Sequence, residues 1–306
     1  MTDRRVTRRR LLAAGGAAAL GGVAGCAAAP RRTVETVVAI PGERVPENLA
    51  FGPDGALHVG ITAGEVRRLA ADRTGETGLG LADTDQIAAL PGAVGVETAP
   101  DGTVYVCVAT GDDHSGVWAV PPGGEATQLV GISGFPNDLL YDDDGDRLLV
   151  TESRAGRVLS VGTDGSRRAW LTDGRLSTES FGANGVARSG DDVYVAVTRA
   201  AGGVGRVLRV PLAADGGAGG AETLVADESV FGADGITARG GDVYVAANAQ
   251  NRVVRVDGAG ETEALLTGSD GLVFPSDVLF GPAGDLFVCN FANDSPSDGG
   301  VLRARL

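Results

Sequence analysis

Residues 231–248 read FGADGITARGGDVYVAAN, and the pattern in this stretch decides the fold. The acidic residue Asp234 lies among small residues, directly ahead of an apolar run, a Gly/Asp turn and a second apolar run that ends at Val245. Two β-branched runs joined by such a turn are typical of a β-hairpin. Because similar stretches occur elsewhere in the chain, Asp234 has equivalents with which it can be compared.

Six segments of the chain repeat this hairpin pattern, and no segment has a sustained helical period. Each hairpin ends at a valine, and successive valines are 47, 44, 45, 50 and 43 residues apart. These valines are Val59, Val106, Val150, Val195, Val245 and Val288. Most units continue with a third apolar run such as GRVLSV or NRVVRV. Hairpins that repeat every 40–50 residues or so indicate propeller blades. The sequence therefore predicts an all-β, six-bladed β-propeller.

The two ends of the chain predict how the propeller closes. The sixth unit stops after its third strand at Leu306, whereas the strand-like segment VETVVAI, residues 34–40, precedes the first unit without a partner. If residues 34–40 supply the outer strand of the sixth blade, both termini hold one blade and the ring is closed. The predicted domains are a signal peptide with a short linker at residues 1–32 and the propeller at residues 33–306.

The N-terminal residues have the composition of an export signal. The paired arginines Arg8 and Arg9 precede a short apolar run, which indicates the twin-arginine (Tat) route. The run over residues 11–25 is too short for a spanning helix, which needs about 20 apolar residues. The sequence VAGC resembles a lipobox, which predicts lipidation of Cys26 and attachment to the outer face of the cell membrane. The alternative is cleavage near residues 27–29 and release of the protein.

The chain is acidic and contains no lysine. Its 306 residues include 26 basic and 40 acidic ones, a net charge of −14. Without residues 1–25, which hold five Arg and one Asp, 21 basic and 39 acidic residues remain, a net charge of −18. This balance excludes nucleic acid as a partner. It resembles the surfaces of halophilic proteins, whose self-repulsion is screened by salt, and suggests a haloarchaeal lipoprotein. A GC-rich genome that favours Arg over Lys is the alternative explanation.

In a propeller, the first strand of each blade lines the central channel. Counting back 11 residues from each terminal valine, or 12 in the longer third unit, selects Asn48, Gly95, Asp138, Asn184, Asp234 and Asp277. Glu47 and Asn137 are adjacent to this set. Converging carboxylates repel one another unless a cation is present, and their oxygens with those of Asn suit Ca²⁺, or Mg²⁺ and Mn²⁺. Any one of these residues alone is better explained as a turn or capping residue, and it is the six positions in register that favour a metal.

The repeat resembles the blades of the senescence marker protein / gluconolactonase / luciferin-regenerating family. The resemblance is strongest in FGADGITARGGDVYVAAN, FGANGVARSGDDVYVAVT and FPNDLLYDDDGDRLLVTE, spans residues 34–306 and is weakest in the first blade. It implies a six-bladed propeller that holds one divalent cation and hydrolyses lactones or related esters. Ca²⁺ is the expected ion, with Mg²⁺, Mn²⁺ and Zn²⁺ as alternatives.

The resemblance also implies roles for individual residues. Asp234 matches the family's metal-bound aspartate, which also acts as the catalytic base, and Asn184 matches its metal-bound asparagine. Glu47 matches the first-blade glutamate ligand, although the small-residue/Pro step that follows it in the family is Asn-Leu here. Asn137 matches an asparagine on the substrate side of the metal. Asp277 has no counterpart in the family, and with Asp138 and Asn48 of the axial set it is a further expected substrate contact.

The predicted function is hydrolysis of a small lactone or ester by a monomer at the cell surface. The alternative is a non-catalytic propeller lipoprotein that binds a ligand or partner, since a fold alone does not decide function. Neither His58 nor His114 opens a strand, which disfavours the His–His dyad of paraoxonase-type lactonases. Ser115 and Ser153 lack the context of a catalytic triad. Strictosidine-synthase-like chemistry is disfavoured because it needs a glutamate base that the sequence does not identify.

Overall fold

The computed structural model describes residues 32–306, and the predicted signal peptide with Cys26 lies outside this range. Within it, 25 strands form six small sheets and no α-helix is present. No helix in this part of the chain is long and apolar enough to cross a membrane.

The strands, in chain order, are β1 Thr33–Ala39, β2 Pro46–Phe51, β3 Leu57–Ile61, β4 Glu65–Leu69, β5 Leu79–Gly80, β6 Asp85–Ala89, β7 Ala93–Thr98, β8 Val104–Val108, β9 Gly116–Val120, β10 Thr127–Gly131, β11 Pro136–Asp142, β12 Arg147–Glu152, β13 Arg157–Gly162, β14 Arg167–Thr172, β15 Ala183–Ser189, β16 Asp192–Ala200, β17 Val204–Pro211, β18 Glu222–Asp227, β19 Ala233–Arg239, β20 Asp242–Ala247, β21 Arg252–Val256, β22 Thr262–Leu266, β23 Pro275–Phe280, β24 Leu286–Asn290 and β25 Gly300–Arg305. Short 3₁₀ helices lie between them, at Ala71–Arg73, Leu81–Asp83, Asp143–Gly145, Gly174–Leu176, Glu228–Val230, Asn248–Gln250, Gly268–Asp270 and Pro296–Asp298.

The six sheets are the blades of a closed ring, which confirms the predicted six-bladed propeller. Five blades have four strands each, in the orders β2-β3-β4-β6, β7-β8-β9-β10, β11-β12-β13-β14, β15-β16-β17-β18 and β19-β20-β21-β22. The sixth blade is β23-β24-β25-β1, with β5 at its outer edge. The innermost strands β2, β7, β11, β15, β19 and β23 contact one another in this order around the ring, and β23 contacts β2.

The sixth blade closes the ring with both ends of the described chain, as predicted. Strand β1 pairs antiparallel with β25, from Thr33 opposite Arg305 to Ala39 opposite Gly300. Val37 and Val38 of β1 are fully buried in this blade. The short strand β5 pairs in parallel with β1 and covers part of its outer edge, which removes exposed backbone groups that would otherwise pair with another chain.

Six apolar layers fill the spaces between neighbouring blades. One layer, for example, combines Val207 of the fourth blade with Val245 of the fifth, and both are fully buried. Each layer contains one of the six terminal valines that define the sequence repeat. Because the layers join each blade to the next, the inner strands are held around the axis and their first residues converge at one mouth of the channel.

The hairpins differ in length, which corrects the position count made from the sequence. Val195 pairs with Val186 and Val245 with Ile236, nine positions back, whereas Val59 pairs with Leu49, ten positions back. A fixed count is therefore wrong by one residue in the fourth and fifth blades. The second residues of the inner strands form a first ring, consisting of Glu47, Val94, Asn137, Asn184, Asp234 and Ser276. The third residues form a second ring, consisting of Asn48, Gly95, Asp138, Gly185, Gly235 and Asp277.

The polar residues of the second ring connect neighbouring blades. Oδ1 of Asn48 accepts a hydrogen bond from the backbone N–H of Val96, at 2.9 Å. Asp138 accepts from the N–H of Val186 and Asp277 from that of Leu49, each at 2.9 Å. In each case the side chain of one blade satisfies a backbone donor of the next, because a buried donor without a partner would be destabilising.

The glycines of the second ring let neighbouring inner strands approach closely. A Cβ atom on Gly235 would lie 2.7 Å from the Cα atom of Asp277, and one on Gly185 would lie 2.8 Å from the backbone N of Ile236. Both distances are shorter than a real Cβ contact allows. The motifs GANG and GADG are therefore similar for two reasons. Their last glycines, Gly185 and Gly235, are needed for blade packing, and their polar residues, Asn184 and Asp234, belong to the first ring.

Replacing Gly235 by Ala is expected to lower the free energy of unfolding by about 3 kcal/mol, because the added methyl group overpacks a junction of two backbones. Denaturant unfolding followed by circular dichroism measures the change. Gly220→Ala is the matched control, since its Cβ would meet nothing within 4 Å. We expect the control to stay within about 0.5 kcal/mol of the wild type. Equal stability of the two variants would contradict the close approach of β19 and β23.

Candidate metal centre and catalytic cavity

A cavity of about 320 Å³ opens at the mouth where the inner strands begin. Five first-ring residues line it, and four of them are polar: Glu47, Asn137, Asn184 and Asp234. The two asparagines and Asp234 are each only 6% exposed. The structure therefore brings the three predicted metal ligands together with Asn137. The position count from the sequence selected Asn184 and Asp234 but placed Glu47 and Asn137 one residue away from the selected positions.

The other predicted substrate contacts do not line this cavity. Asn48, Asp138 and Asp277 belong to the second ring, one residue farther along their strands, and their side chains are hydrogen-bonded to backbone groups of the neighbouring blades. Asn48 also donates to Asp138, at 3.3 Å. The structure shows that these three residues bridge neighbouring blades, and their contact with a substrate stays a prediction.

Hydroxyl groups fix the orientation of the two first-ring asparagines. Nδ2 of Asn137 donates to Oγ of Ser153, and Nδ2 of Asn184 donates to Oγ1 of Thr198, both at 2.9 Å. Because the nitrogen and oxygen of an amide diverge from the same carbon, each Oδ1 atom is directed away from its hydroxyl partner. Both amides thus retain an oxygen that is able to bind a cation or a substrate donor.

Asp234 is held by Asn248, whose Nδ2 donates to its Oδ2 at 2.6 Å. Gly232, with φ of 82°, makes room for this contact, since a Cβ there would lie 2.6 Å from the backbone N of Ala249. Burial raises the pKa of Asp234 to about 7, against opposing hydrogen bonds from Asn248 and Asn184. A carboxylate with a pKa near neutrality is able to accept and return a proton under ordinary conditions.

Glu47 contains the polar atom that most needs a partner. Among residues 32–306, no hydrogen-bond donor reaches its buried Oε2 atom. Burial raises the pKa of Glu47 well above its usual value, and the nearby carboxylates of Asp234, Asp277 and Asp138 raise it further. A buried carboxylate without a partner is destabilising, and a cation would provide the missing interaction.

The residues at this mouth fit a hard divalent cation. Glu47 and Asp234 would supply carboxylate oxygens and Asn184 an amide oxygen, which are the donor types that Ca²⁺ prefers. Within the described range, no group of three or more His, Cys, Asp and Glu side chains is arranged as a metal site. A centre here would therefore depend on amide oxygens and water in addition to two carboxylates.

The buried carboxylates predict that the metal-free protein loses stability as the pH rises. Burial raises the pKa of Asp234 from 3.8 to about 7 and that of Asp138 from 3.8 to about 6. The folded state therefore keeps protons that the unfolded chain releases. The associated stability is fully present below about pH 4 and is lost as the pH rises to about 7.

Differential scanning fluorimetry checks this prediction. In the presence of a chelator, the melting temperature should fall between about pH 4.5 and 7.5, and added Ca²⁺ should raise it more at pH 7.5 than at pH 5. Asp234→Asn, which cannot titrate, is the control and should show a smaller fall. If the wild type and the variant had the same pH profile, Asp234 would not have the raised pKa that its burial implies.

Neither histidine lines the cavity. His58 is buried in a separate cleft that involves the first two blades, where burial lowers its pKa to about 4. His114 lies in an exposed loop. The Oγ atom of Ser153 donates to the carbonyl oxygen of Ala183 at 2.6 Å and accepts from Asn137. The hydroxyl thus has a positioning role and lacks a general base.

The sequence did not identify the residues that orient the first ring. Ser153 and Asn248 directly follow the second strands of their blades, and Thr198 lies two residues before the end of its own. The signal was present in LLVTES, YVAVTR and YVAANA, where each apolar run ends in a hydroxyl or amide residue. Recognising it required knowing that the second strand returns to the mouth at which the first begins.

The fold and the cavity define a closed six-bladed propeller with an oxygen-lined pocket at one channel mouth. Over residues 35–69, the chain matches the sequence profile of the strictosidine synthase-like, N-terminal family. This segment extends from β1 to β4 and includes Glu47. It is a small part of the chain, and it gives the first blade a resemblance other than the one predicted. No curated protein matches the chain.

Solved structures of similar fold come from several kinds of protein. A gluconolactonase from Xanthomonas campestris has a TM-score of 0.68 at 17% identity, over 90% of each chain. Regucalcin, a calcium-binding protein from Agrobacterium tumefaciens, has a TM-score of 0.62 at 19% identity, over 87% of this chain and 94% of that one. An auxiliary nutrient binding protein from Bacteroides thetaiotaomicron has a TM-score of 0.69 at 9% identity, over 90% of this chain and 77% of that one. At these identities the similarity establishes the propeller fold.

Proposed function

We propose that the protein is a divalent-cation-dependent hydrolase of a lactone or related ester. The observation that supports this function best is the cavity in which Glu47, with its unpartnered oxygen, and Asp234, with its raised pKa, lie beside two oriented amides. Ca²⁺ is the ion that this oxygen-only donor set suits best, ahead of Mg²⁺ and Mn²⁺. Zn²⁺ is the least suitable, because its protein sites usually include His or Cys.

Three residues would hold the ion: Glu47, Asn184 and Asp234. When bound, the ion supplies Lewis acidity and lowers the pKa of a bound water. Asn137 is then positioned to orient the substrate, because Ser153 fixes its amide. Oδ2 of Asp234 accepts a hydrogen bond from Asn248, which fixes the position of the carboxylate that would take the proton of the attacking water.

The proposed reaction adds the elements of water across the ester bond. The water oxygen attacks the carbonyl carbon while Asp234 takes its proton. The bond between the carbonyl carbon and the ring oxygen then breaks, and the leaving oxygen receives a proton from Asp234. The product is a hydroxy acid, and Asp234 returns to its starting state.

The similarity to a gluconolactonase and to regucalcin supports this proposal at the level of the fold. The similarity to a nutrient binding protein favours a second candidate, a propeller that binds a ligand at the cell surface without converting it. The buried carboxylate of Asp234, which lies in the cavity beside two oriented amides, favours the hydrolase, because hydrolysis needs a base at this position.

Hydrolysis assays separate the two candidates. The purified protein is treated with a chelator and then assayed with aldonic, aliphatic and aromatic lactones, in high salt, with and without Ca²⁺, Mg²⁺, Mn²⁺ or Zn²⁺. The hydrolase predicts ring opening above the uncatalysed rate that requires an added ion. Binding of lactones without ring opening under every ion would replace the hydrolase with the binding protein.

The cellular location is part of the proposal. The arginine pair and the VAGC sequence suggest Tat export and lipidation at Cys26, which would place a monomeric enzyme on the outer face of the membrane. Fractionation of cells that produce the wild type or Cys26→Ser tests this location. The wild type should sediment with membranes and the variant should be released, whereas a soluble wild type would contradict lipid anchoring.

A further inference from the structure

Phenylalanine side chains surround the cavity above its polar floor. Phe135, Phe181, Phe274 and Phe291 line it, which is half of the eight phenylalanines in the chain. Phe135 and Phe181 pack edge to face with ring centroids 5.3 Å apart, and Phe274 and Phe291 lie 5.6 Å apart. These two aromatic pairs give the walls an apolar character that the first ring does not have.

Two of these phenylalanines are placed at a cost in stability. Phe181 is 41% exposed, one of two exposed large apolar side chains in the described part of the protein. Phe274 has φ of 48°, which is unfavourable for a bulky residue. Its backbone N–H donates to Oδ1 of Asn251 at 2.7 Å, which helps to hold this conformation. Strained backbone and exposed aromatic surface of this kind concentrate at ligand sites.

Two arginines at the same mouth lack acidic partners. Arg199 lines the cavity and its guanidinium lies 5.9 Å from the ring centroid of Phe231, while that of Arg154 lies 6.0 Å from the centroid of Phe135. Both are exposed, and no carboxylate of residues 32–306 forms an ion pair with either. In a chain with a net charge of −14, two unpaired arginines at one cavity are available to an anionic ligand.

We infer that the substrate is an amphipathic anion, namely a lactone or ester with an aryl or alkyl body and a carboxylate or similar group. This inference rests on the proposed function and specifies its substrate class. The apolar body would lie between the two phenylalanine pairs, and the anionic group would meet Arg199. A polyhydroxylated lactone fits less well, because each buried hydroxyl without a partner costs about 1–3 kcal/mol and the aromatic walls offer few partners.

A panel of four lactones tests the inference with the wild-type protein and Ca²⁺. The probes are glucono-1,5-lactone, δ-valerolactone, dihydrocoumarin and a carboxylated dihydrocoumarin. We expect kcat/KM to be at least tenfold higher for dihydrocoumarin than for δ-valerolactone, and highest for the carboxylated probe. Binding of the ring-opened aryl acid, measured by calorimetry, provides a readout that does not depend on turnover.

Two variants and two controls connect these results to the cavity. Phe181→Ala should reduce the preference for aryl probes at least fivefold. Arg199→Gln should remove the preference for the carboxylated probe over its neutral parent. Arg239→Gln is the control for the second, since Arg239 also stacks on a phenylalanine but lies at the opposite end of strand β19. Leu306→Ala controls for loss of an exposed apolar side chain elsewhere.

The outcomes separate this inference from the proposed function. Metal-dependent hydrolysis that is fastest with glucono-1,5-lactone would overturn the inference and leave the hydrolase in place. Binding of the aryl acid that is lost in Phe181→Ala and Arg199→Gln, without hydrolysis of any probe, would support the ligand class and overturn the hydrolase. Absence of both binding and turnover would overturn both.

Discussion

Replacing Asp234 by Asn is expected to lower kcat/KM for a hydrolysed lactone at least about 1,000-fold. The residue has two proposed roles, and the loss of a general base alone typically costs about 100- to 10,000-fold. Asn has nearly the same shape as Asp, and it is able to keep a hydrogen bond with Asn248, so the folded structure should persist. Steady-state kinetics with saturating Ca²⁺ measure the effect, and the melting temperature verifies folding.

Asp138→Asn is the matched control for this result. Asp138 is also a buried carboxylate of an inner strand, but it lies in the second ring and accepts from the N–H of Val186. The substitution should lower the free energy of unfolding, because Asp138 bridges two blades. It should leave kcat/KM within about threefold of the wild type, because Asp138 does not line the cavity. Equal losses of activity in both variants would show that the first and second rings do not have separate roles.

Replacing Glu47 by Gln is expected to change metal affinity and metal-free stability in opposite directions. The affinity for Ca²⁺ should fall at least about 100-fold, because breaking one side of a buried charge interaction costs about 3–5 kcal/mol. Without the ion, the same carboxylate is buried, unpartnered and close to other carboxylates. Its removal should therefore raise the melting temperature of the chelator-treated protein at pH 7.5 by about 3–6 °C.

These opposite signs make Glu47→Gln an informative variant. A residue that only supports the fold would lower stability when replaced, with or without Ca²⁺. A residue that only binds substrate would leave the affinity for Ca²⁺ unchanged. Calorimetry and scanning fluorimetry on the same preparations measure both quantities. Lower metal-free stability of Glu47→Gln would contradict the proposed metal ligand.

The fold was predictable because each unit of the repeat is recognisable from short-range sequence patterns. The apolar runs and Gly/Asp turns predict six hairpins, one for each blade. The unpaired segment at residues 34–40 predicts the strand β1 that closes the ring. The register of the inner strands was not predictable to one residue. It depends on hairpin length, and a turn that is shorter by one residue moves Asn184 and Asp234 from the second ring to the first.

The candidate site was predictable only in part for the same reason. Glu47, Asn137, Asn184 and Asp234 could be selected from motifs, but Asp138 and its second-ring equivalents have the same composition and a different role. The aromatic walls come from loops and strand ends that are far apart in the chain, such as Phe135 and Phe291. No sequence period connects such residues, and only the closed ring brings them to one mouth.

Calorimetric titration of Ca²⁺ into the chelator-treated protein tests most directly whether the first ring is a metal centre. We predict saturable binding of one ion per chain to the wild type, and binding at least about 100-fold weaker in Glu47→Gln, as its lost carboxylate requires. Absence of saturable binding in the wild type, or equal affinity in the variant, would contradict the metal centre on which the proposed function depends.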